Sequence, residues 1–134
     1  MSKDIFSMTP NPERAQNILK QVAVRLEVLQ TLDTSKYATL IIEGQYEVIK
    51  ELQTALLAID GYKTLSHTSL IEYLRDSYSK YFTELEIRSI DDLRKIRNRI
   101  AYEGFAIDQD VYKRKFPVAK SIITKLTDLV KKRL

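Results

Sequence analysis

Leu93-Arg94-Lys95-Ile96-Arg97-Asn98-Arg99-Ile100-Ala101-Tyr102-Glu103-Gly104-Phe105 reads as the last three turns of a helix followed by a stop. Leu93, Ile96 and Ile100 are three and four apart, so they share one face. Arg97 borders that face, held where an apolar stripe meets another surface. Gly104 supplies a residue able to take positive φ and end the helix. Tyr102 follows Arg97 by five residues, which is roughly 500° of rotation, or about 140° around the axis. The two side chains meet on one surface only if the helix end unwinds or a second copy of the chain contributes.

Outward from this stretch the helical period continues. Asn11-Pro12-Glu13 is a helix start, with Asn as N-cap and Pro at the first position. Helix one runs from there to about Leu32, with Ala15, Ile18, Leu19, Val22, Leu26 and Leu29 on its stripe. Met1 to Thr9 reads as a loose end. Helix two covers about Lys36 to Ile59, with Tyr37, Leu40, Ile41, Gly44, Val48, Leu52, Leu56 and Ile59 inward. Gly44 costs about 1 kcal/mol against Ala in mid-helix, and close approach of another helix explains it. Asp60-Gly61-Tyr62-Lys63 is a stop and turn. Helix three spans roughly Ser66 to Tyr81, and His67 at its start reads as a structural histidine. Helix four begins between Glu84 and Ser89, where Ser89-Ile90-Asp91-Asp92 suits a start, and ends near Glu103. Phe105 to Gln109 connects it to helix five, Gln109 to Arg133, with Val111, Val118, Ile122, Leu126, Leu129 and Val130 inward. Pro117 either kinks that helix or marks a new first turn. Five helices with short connections predict an all-α fold, an up-and-down four-helix bundle with an additional helix.

The 134 residues suit one domain spanning 1–134. With 44% hydrophobic and 30% charged residues, and only three Gly and three Pro, the composition argues against disorder and against a β-sandwich. There is no cysteine, which excludes disulfides and Cys-bound zinc, and the single His disfavours a His-based metal site. No metal and no cofactor is expected. Met1 to Arg14 lacks a signal-like apolar run, and charges break every apolar segment, so the expectation is a cytoplasmic protein without a membrane partner. Val111 to Leu134 carries eight basic residues against one acid, a local +7 within a net charge of +4. That end either attracts phosphate or is a solvated lysine face.

Arg97-Asn98-Arg99-Ile100-Ala101-Tyr102 resembles the signature of HEPN domains (higher eukaryotes and prokaryotes nucleotide-binding): an Arg, a polar residue that is often Asn, and a His a few positions on. Here Tyr102 stands at the His position. Tyr46-Glu47 with Ile49-Lys50-Glu51-Leu52 is similar to the second helix of those domains, and Gly61-Tyr62-Lys63 with His67 to the loop that follows. The resemblance implies a helical bundle that dimerises through the motif-bearing helix, and metal-independent RNA cleavage in which the 2′-hydroxyl attacks its own phosphate. Arg97 would then stabilise the added negative charge, Asn98 donate to a phosphate oxygen or fix Arg97, and Tyr102 stand for the proton-exchanging His. Arg94 and Arg99 would rim the cleft. A phenol is a much weaker base than an imidazole at neutral pH, so the activity expected is weak or absent and the site mainly an RNA or nucleotide phosphate site. The alternative is that Arg97 and Asn98 are packing residues, with Arg97 paired to a carboxylate such as Glu43, in a non-enzymatic interaction module. The partner of a minimal nucleotidyltransferase in a toxin–antitoxin pair is one such module.

Overall fold

The computed structural model describes residues 4–134. It is all-α apart from one short two-stranded sheet. The order is β1 (Ile5–Ser7), α1 (Pro12–Gln30), α2 (Ala38–Asp60), β2 (Tyr62–Thr64), α3 (His67–Ser77), α4 (Glu84–Glu103) and α5 (Gln109–Arg133).

The central element is α2. Ile41, Ile42, Tyr46, Val48, Ile49, Leu52, Leu56 and Leu57 are all at most 2% exposed, and they point to every side of the helix rather than along one stripe. A helix that is apolar all round must be covered all round, and α2 packs against α1 and α5 most extensively, then against α4 and α3. The expected single stripe was therefore too narrow. Two inward assignments are corrected: Leu40 on α2 is 48% exposed and Val118 on α5 is 40% exposed. Gly44 has the expected role. A Cβ there would lie 2.8 Å from Leu29 Cδ2, so α1 crosses α2 closely at this point.

Local signals set the helix ends. Asn11 accepts from the Arg14 amide at 3.0 Å, and Pro12 occupies the first turn of α1. The α4 start lies earlier than the Ser89 alternative. Thr83 accepts from the Glu86 amide (3.1 Å) while the Glu86 carboxylate accepts from the Thr83 amide (2.9 Å), a reciprocal capping box. α3 stops at Ser77, not Tyr81, because Tyr78 turns its hydroxyl to Asp60 at 2.6 Å. α5 runs unbroken through Pro117, and the buried Gln45 donates to the carbonyl of Phe116 just before it at 3.3 Å.

The N-terminal stretch is not loose where it is described; Met1 to Lys3 lie outside the described residues. Ile5, Phe6 and Ser7 pair antiparallel with Thr64, Lys63 and Tyr62. Gly61 makes this possible. Its φ of +87° turns the chain out of α2, and its carbonyl accepts from the Met8 amide at 2.9 Å. A Cβ at Gly61 would lie 3.0 Å from the Met8 carbonyl oxygen and 3.1 Å from Pro10 Cγ. Gly61→Ala thus combines left-handed strain of about 1–2 kcal/mol with a backbone contact, and is expected to cost about 2 kcal/mol in urea unfolding. Gly104→Ala, at φ +67° with open space around it, should show the strain alone.

Glu86 carries a second local prediction. Its carboxylate also accepts from Lys125 Nζ at 2.9 Å, tying α4 to α5. Burial alone would raise its pKa, but the Thr83 amide and Lys125 outweigh it and hold it below the usual carboxylate range. A carboxylate whose folded pKa is depressed stabilises the fold above its unfolded pKa, and that stability is lost as pH falls through the folded value. Glu86→Gln should therefore unfold more easily at pH 7 by about 1–2 kcal/mol, and the difference from wild type should close as pH falls below about 4.

Candidate functional site

α4 delivers the motif residues onto two sides of the molecule. The helix stays regular through Glu103, and Gly104 then caps it in the left-handed conformation, the amides of Gly104 and Phe105 both reaching the Arg99 carbonyl. The end does not unwind. Arg97 accordingly faces inward toward α2, its side chain 24% exposed, whereas Tyr102 projects outward at 80% exposure. Within one chain the two do not meet. Asn98 is half-buried. Arg99 is engaged locally, its guanidinium carbon 4.0 Å from the Phe105 ring centre and its Nε 3.6 Å from Glu103.

The carboxylate that meets Arg97 is Glu47, at 3.3 Å from Nε, one helical turn beyond the expected Glu43. Glu43 lines the same groove without that pairing. Arg97 Nε is buried and the contact to Glu47 lacks hydrogen-bond geometry, so this donor has no acceptor aligned with it. Glu47 is shared: Lys50 Nζ lies 2.7 Å from its other oxygen. Desolvation would raise the Glu47 pKa, but Lys50, Arg97 and His67 overcome it and keep the group ionised below its ordinary range. One turn deeper on α4, Asp91 is shared in the same way by Arg94 (2.9 Å) and Lys95 (3.3 Å). Four cations thus share two carboxylates, a local surplus of positive charge.

Between the two clusters lies Tyr46, 1% exposed. Its hydroxyl is pushed up to about 12, first by burial, with the charges of Arg94, Glu47, Arg97 and Asp91 all acting on it. Across its ring sits His67, the first residue of α3, with ring centres 6.1 Å apart. Burial first, then the charges of Lys50 and Arg97, push the His67 pKa below its ordinary value.

Beside Arg97 a groove of about 630 Å³ runs between α1 and α2. Leu29 and Gly44 form its floor, Glu43, Glu47 and Arg97 its polar end, and Val24, Val28 and Leu40 are exposed along it. Among the described residues no group of three His, Asp or Glu side chains is placed to hold a metal ion, and no helix is long and apolar enough to cross a membrane.

Glu47, Lys50, Asp91 and His67 are the members of this site that the motif stretch does not name. The Glu47-Lys50 spacing on α2 and the Asp91-Arg94-Lys95 spacing on α4 carry the pairs within each helix, but not which turn of α2 faces which turn of α4.

No protein-family model, no curated protein and no solved structure matches the chain.

Proposed function

We propose that this chain is an HEPN-like four-helix bundle with an additional helix, directed at RNA or nucleotide phosphate, in which metal-independent cleavage is weak or absent. The observation that carries this reading is the surplus of cations at the α2–α4 contact. Arg97 and Lys50 share Glu47, Arg94 and Lys95 share Asp91, and the buried Arg97 Nε has no aligned acceptor among the described residues. A phosphate oxygen is an acceptor of the right charge, and guanidinium groups bind it through two parallel donors. The separation of Arg97 from Tyr102 on a regular helix fits a homodimer in which Arg97, Asn98 and Tyr102 of both chains line one cleft, and the apolar groove beside Arg97 offers surface for such a contact.

The test is RNA binding and cleavage in EDTA, with total tRNA and a short mixed RNA, for wild type, Arg97→Ala and Tyr102→His. Wild type is expected to bind as a sedimenting dimer, and Arg97→Ala to bind at least tenfold more weakly. Tyr102→His is expected to cleave faster than wild type. Failure of wild type to bind either RNA would sink this reading.

One observation favours a second reading. Tyr102 is open to solvent on the last turn of α4, which suits an acceptor hydroxyl for a minimal nucleotidyltransferase partner. A nucleotidyl mass added at Tyr102 on co-expression with such an enzyme is its signature.

A further inference from the structure

We infer that the groove between α5 and the turn before α4 is a separate nucleic-acid contact, in which Tyr81 stacks a base of a single strand while Lys120 and Lys132 hold phosphates on either side of it. Tyr81, Lys120 and Lys132 take no part in the α2–α4 contact, so the inference stands without the Arg97 site.

The structure sorts the charges of the basic C-terminal stretch. Of its eight basic residues, Arg133 turns to Asp60 and Lys125 to Glu86. Lys120 and Lys132 enter no ion pair among the described residues, and both line a groove of about 710 Å³ whose apolar walls are Tyr81, Pro117 and Leu129. That volume is common among ligand clefts.

A row of lysines alone is a solvated face. The ring sets this groove apart. Tyr81 is 43% exposed in the turn between α3 and α4, its amide bonded to the Tyr78 carbonyl at 2.9 Å. Its ring leans on that of Tyr78, with centres 6.1 Å apart, and the Tyr78 hydroxyl is held by Asp60 at 2.6 Å. The platform is therefore fixed from behind. Lys132 Nζ rests 5.7 Å from the Tyr81 ring centre. A cation over an exposed ring is favoured by about two- to fivefold, a stacked base by about 5- to 150-fold. A base therefore displaces the ammonium, which is then free to pair with the phosphate beside that base.

Spacing selects a strand over a free nucleotide. Lys120 and Lys132 are twelve residues apart on α5, about 18 Å along the axis, more than a single phosphate bridges. Asp128, which also lines the groove, selects against an acidic peptide. A neutral base tolerates a carboxylate between the two lysines, and a run of carboxylates does not.

The probes are a labelled oligoadenylate hexamer, an abasic hexamer of equal charge, AMP and a hexaglutamate, followed by fluorescence anisotropy in EDTA. Wild type and Arg97→Ala are measured, and each variant is also made on Arg97→Ala, where the α2–α4 site no longer contributes. On that background the abasic hexamer should bind at least fivefold more weakly than oligoadenylate. Tyr81→Ser should weaken oligoadenylate about tenfold and leave the abasic hexamer within twofold. Tyr81→Phe keeps the ring and should stay within twofold on both. Lys120→Ala and Lys132→Ala should each reduce the slope of log affinity against log salt by about one phosphate contact. These lysines are at the surface, so the test does not depend on Tyr81→Ser folding. Equal affinity for the two hexamers, or salt slopes unmoved in both lysine variants, overturns the inference and returns α5 to a solvated face. Oligoadenylate binding that vanishes in Arg97→Ala overturns it too and leaves the Arg97 reading standing. Binding unchanged in Arg97→Ala and weakened in Tyr81→Ser supports it and sinks the Arg97 reading. AMP or hexaglutamate bound as tightly as oligoadenylate overturns the strand, in favour of a free nucleotide or an acidic peptide. Absence of any binding overturns both readings.

Discussion

Asp60→Ala should be the most destabilising single substitution of a charged residue in this chain, lowering unfolding free energy by about 3–4 kcal/mol and the melting temperature by about 10 °C. Asp60 ends α2, where the helix dipole disfavours a carboxylate, and three groups offset that cost. Tyr73 and Tyr78 each donate a hydroxyl to Oδ2 at 2.6 Å, and Arg133, at the far end of α5, pairs with Oδ1. The carboxylate thereby joins α2, α3 and α5. Tyr73 and Tyr78 are 4% and 6% exposed, so removing their acceptor strands two buried donors, each at about 1–3 kcal/mol. Asp60→Asn keeps an acceptor for one hydroxyl and should lose about half as much. Tyr73→Phe and Tyr78→Phe remove donor and demand together and should each cost about 1 kcal/mol, with non-additivity in the double-mutant cycle.

The same cluster sets the alkaline limb of stability. Burial first, then the hydrogen bond and charge of Asp60, raise both phenols, Tyr78 to about 12. A group whose folded pKa is raised contributes stability that is complete below its unfolded pKa, near 10 for tyrosine, and lost as pH rises through the folded value. Wild type should therefore lose stability more steeply than Asp60→Ala between pH 10 and 12.

The sequence carries this network only in part. Asp60-Gly61 is legible as a helix stop, because a left-handed residue after a long apolar period has few other meanings. That Asp60 would meet a residue 73 positions later is a property of how α5 lies on α2. The same divide recurs along the chain. Four of the five helices are legible at close to their true limits, since caps and stripes are local. α3 was read one turn too long because Tyr78 and Tyr81 continue its apolar period, while a contact from another helix ends it. β1 is three residues whose partner lies more than fifty residues away, beyond any local pattern. At the site, Arg94, Arg97 and Asn98 are legible from the motif stretch, but the carboxylate expected for Arg97 is Glu43, and the one that meets it is Glu47. Glu43 and Glu47 share one face of α2, so choosing between them needs the axial offset of α2 against α4, which periodicity does not contain.

That offset gives a second prediction, in which two substitutions of one ion pair act in opposite directions. Arg97→Ala is expected to weaken RNA binding at least tenfold at low salt and to reduce the slope of log affinity against log salt by about one phosphate contact. Arg97→Lys should recover only part of this, because an ammonium cannot present two parallel donors. Glu47→Gln should do the reverse. It releases Lys50 and Arg97 from their shared carboxylate and adds one net positive charge beside the phosphate, so affinity should rise several-fold with a steeper salt slope. The fold itself should lose about 1 kcal/mol in Glu47→Gln, since a partly buried pair is broken while the amide still accepts one hydrogen bond. If Arg97 served packing alone, both substitutions would lower stability and neither would move RNA affinity. Stability and affinity that change in opposite senses in Glu47→Gln, measured on the same preparation, therefore separate a phosphate site from a structural ion pair.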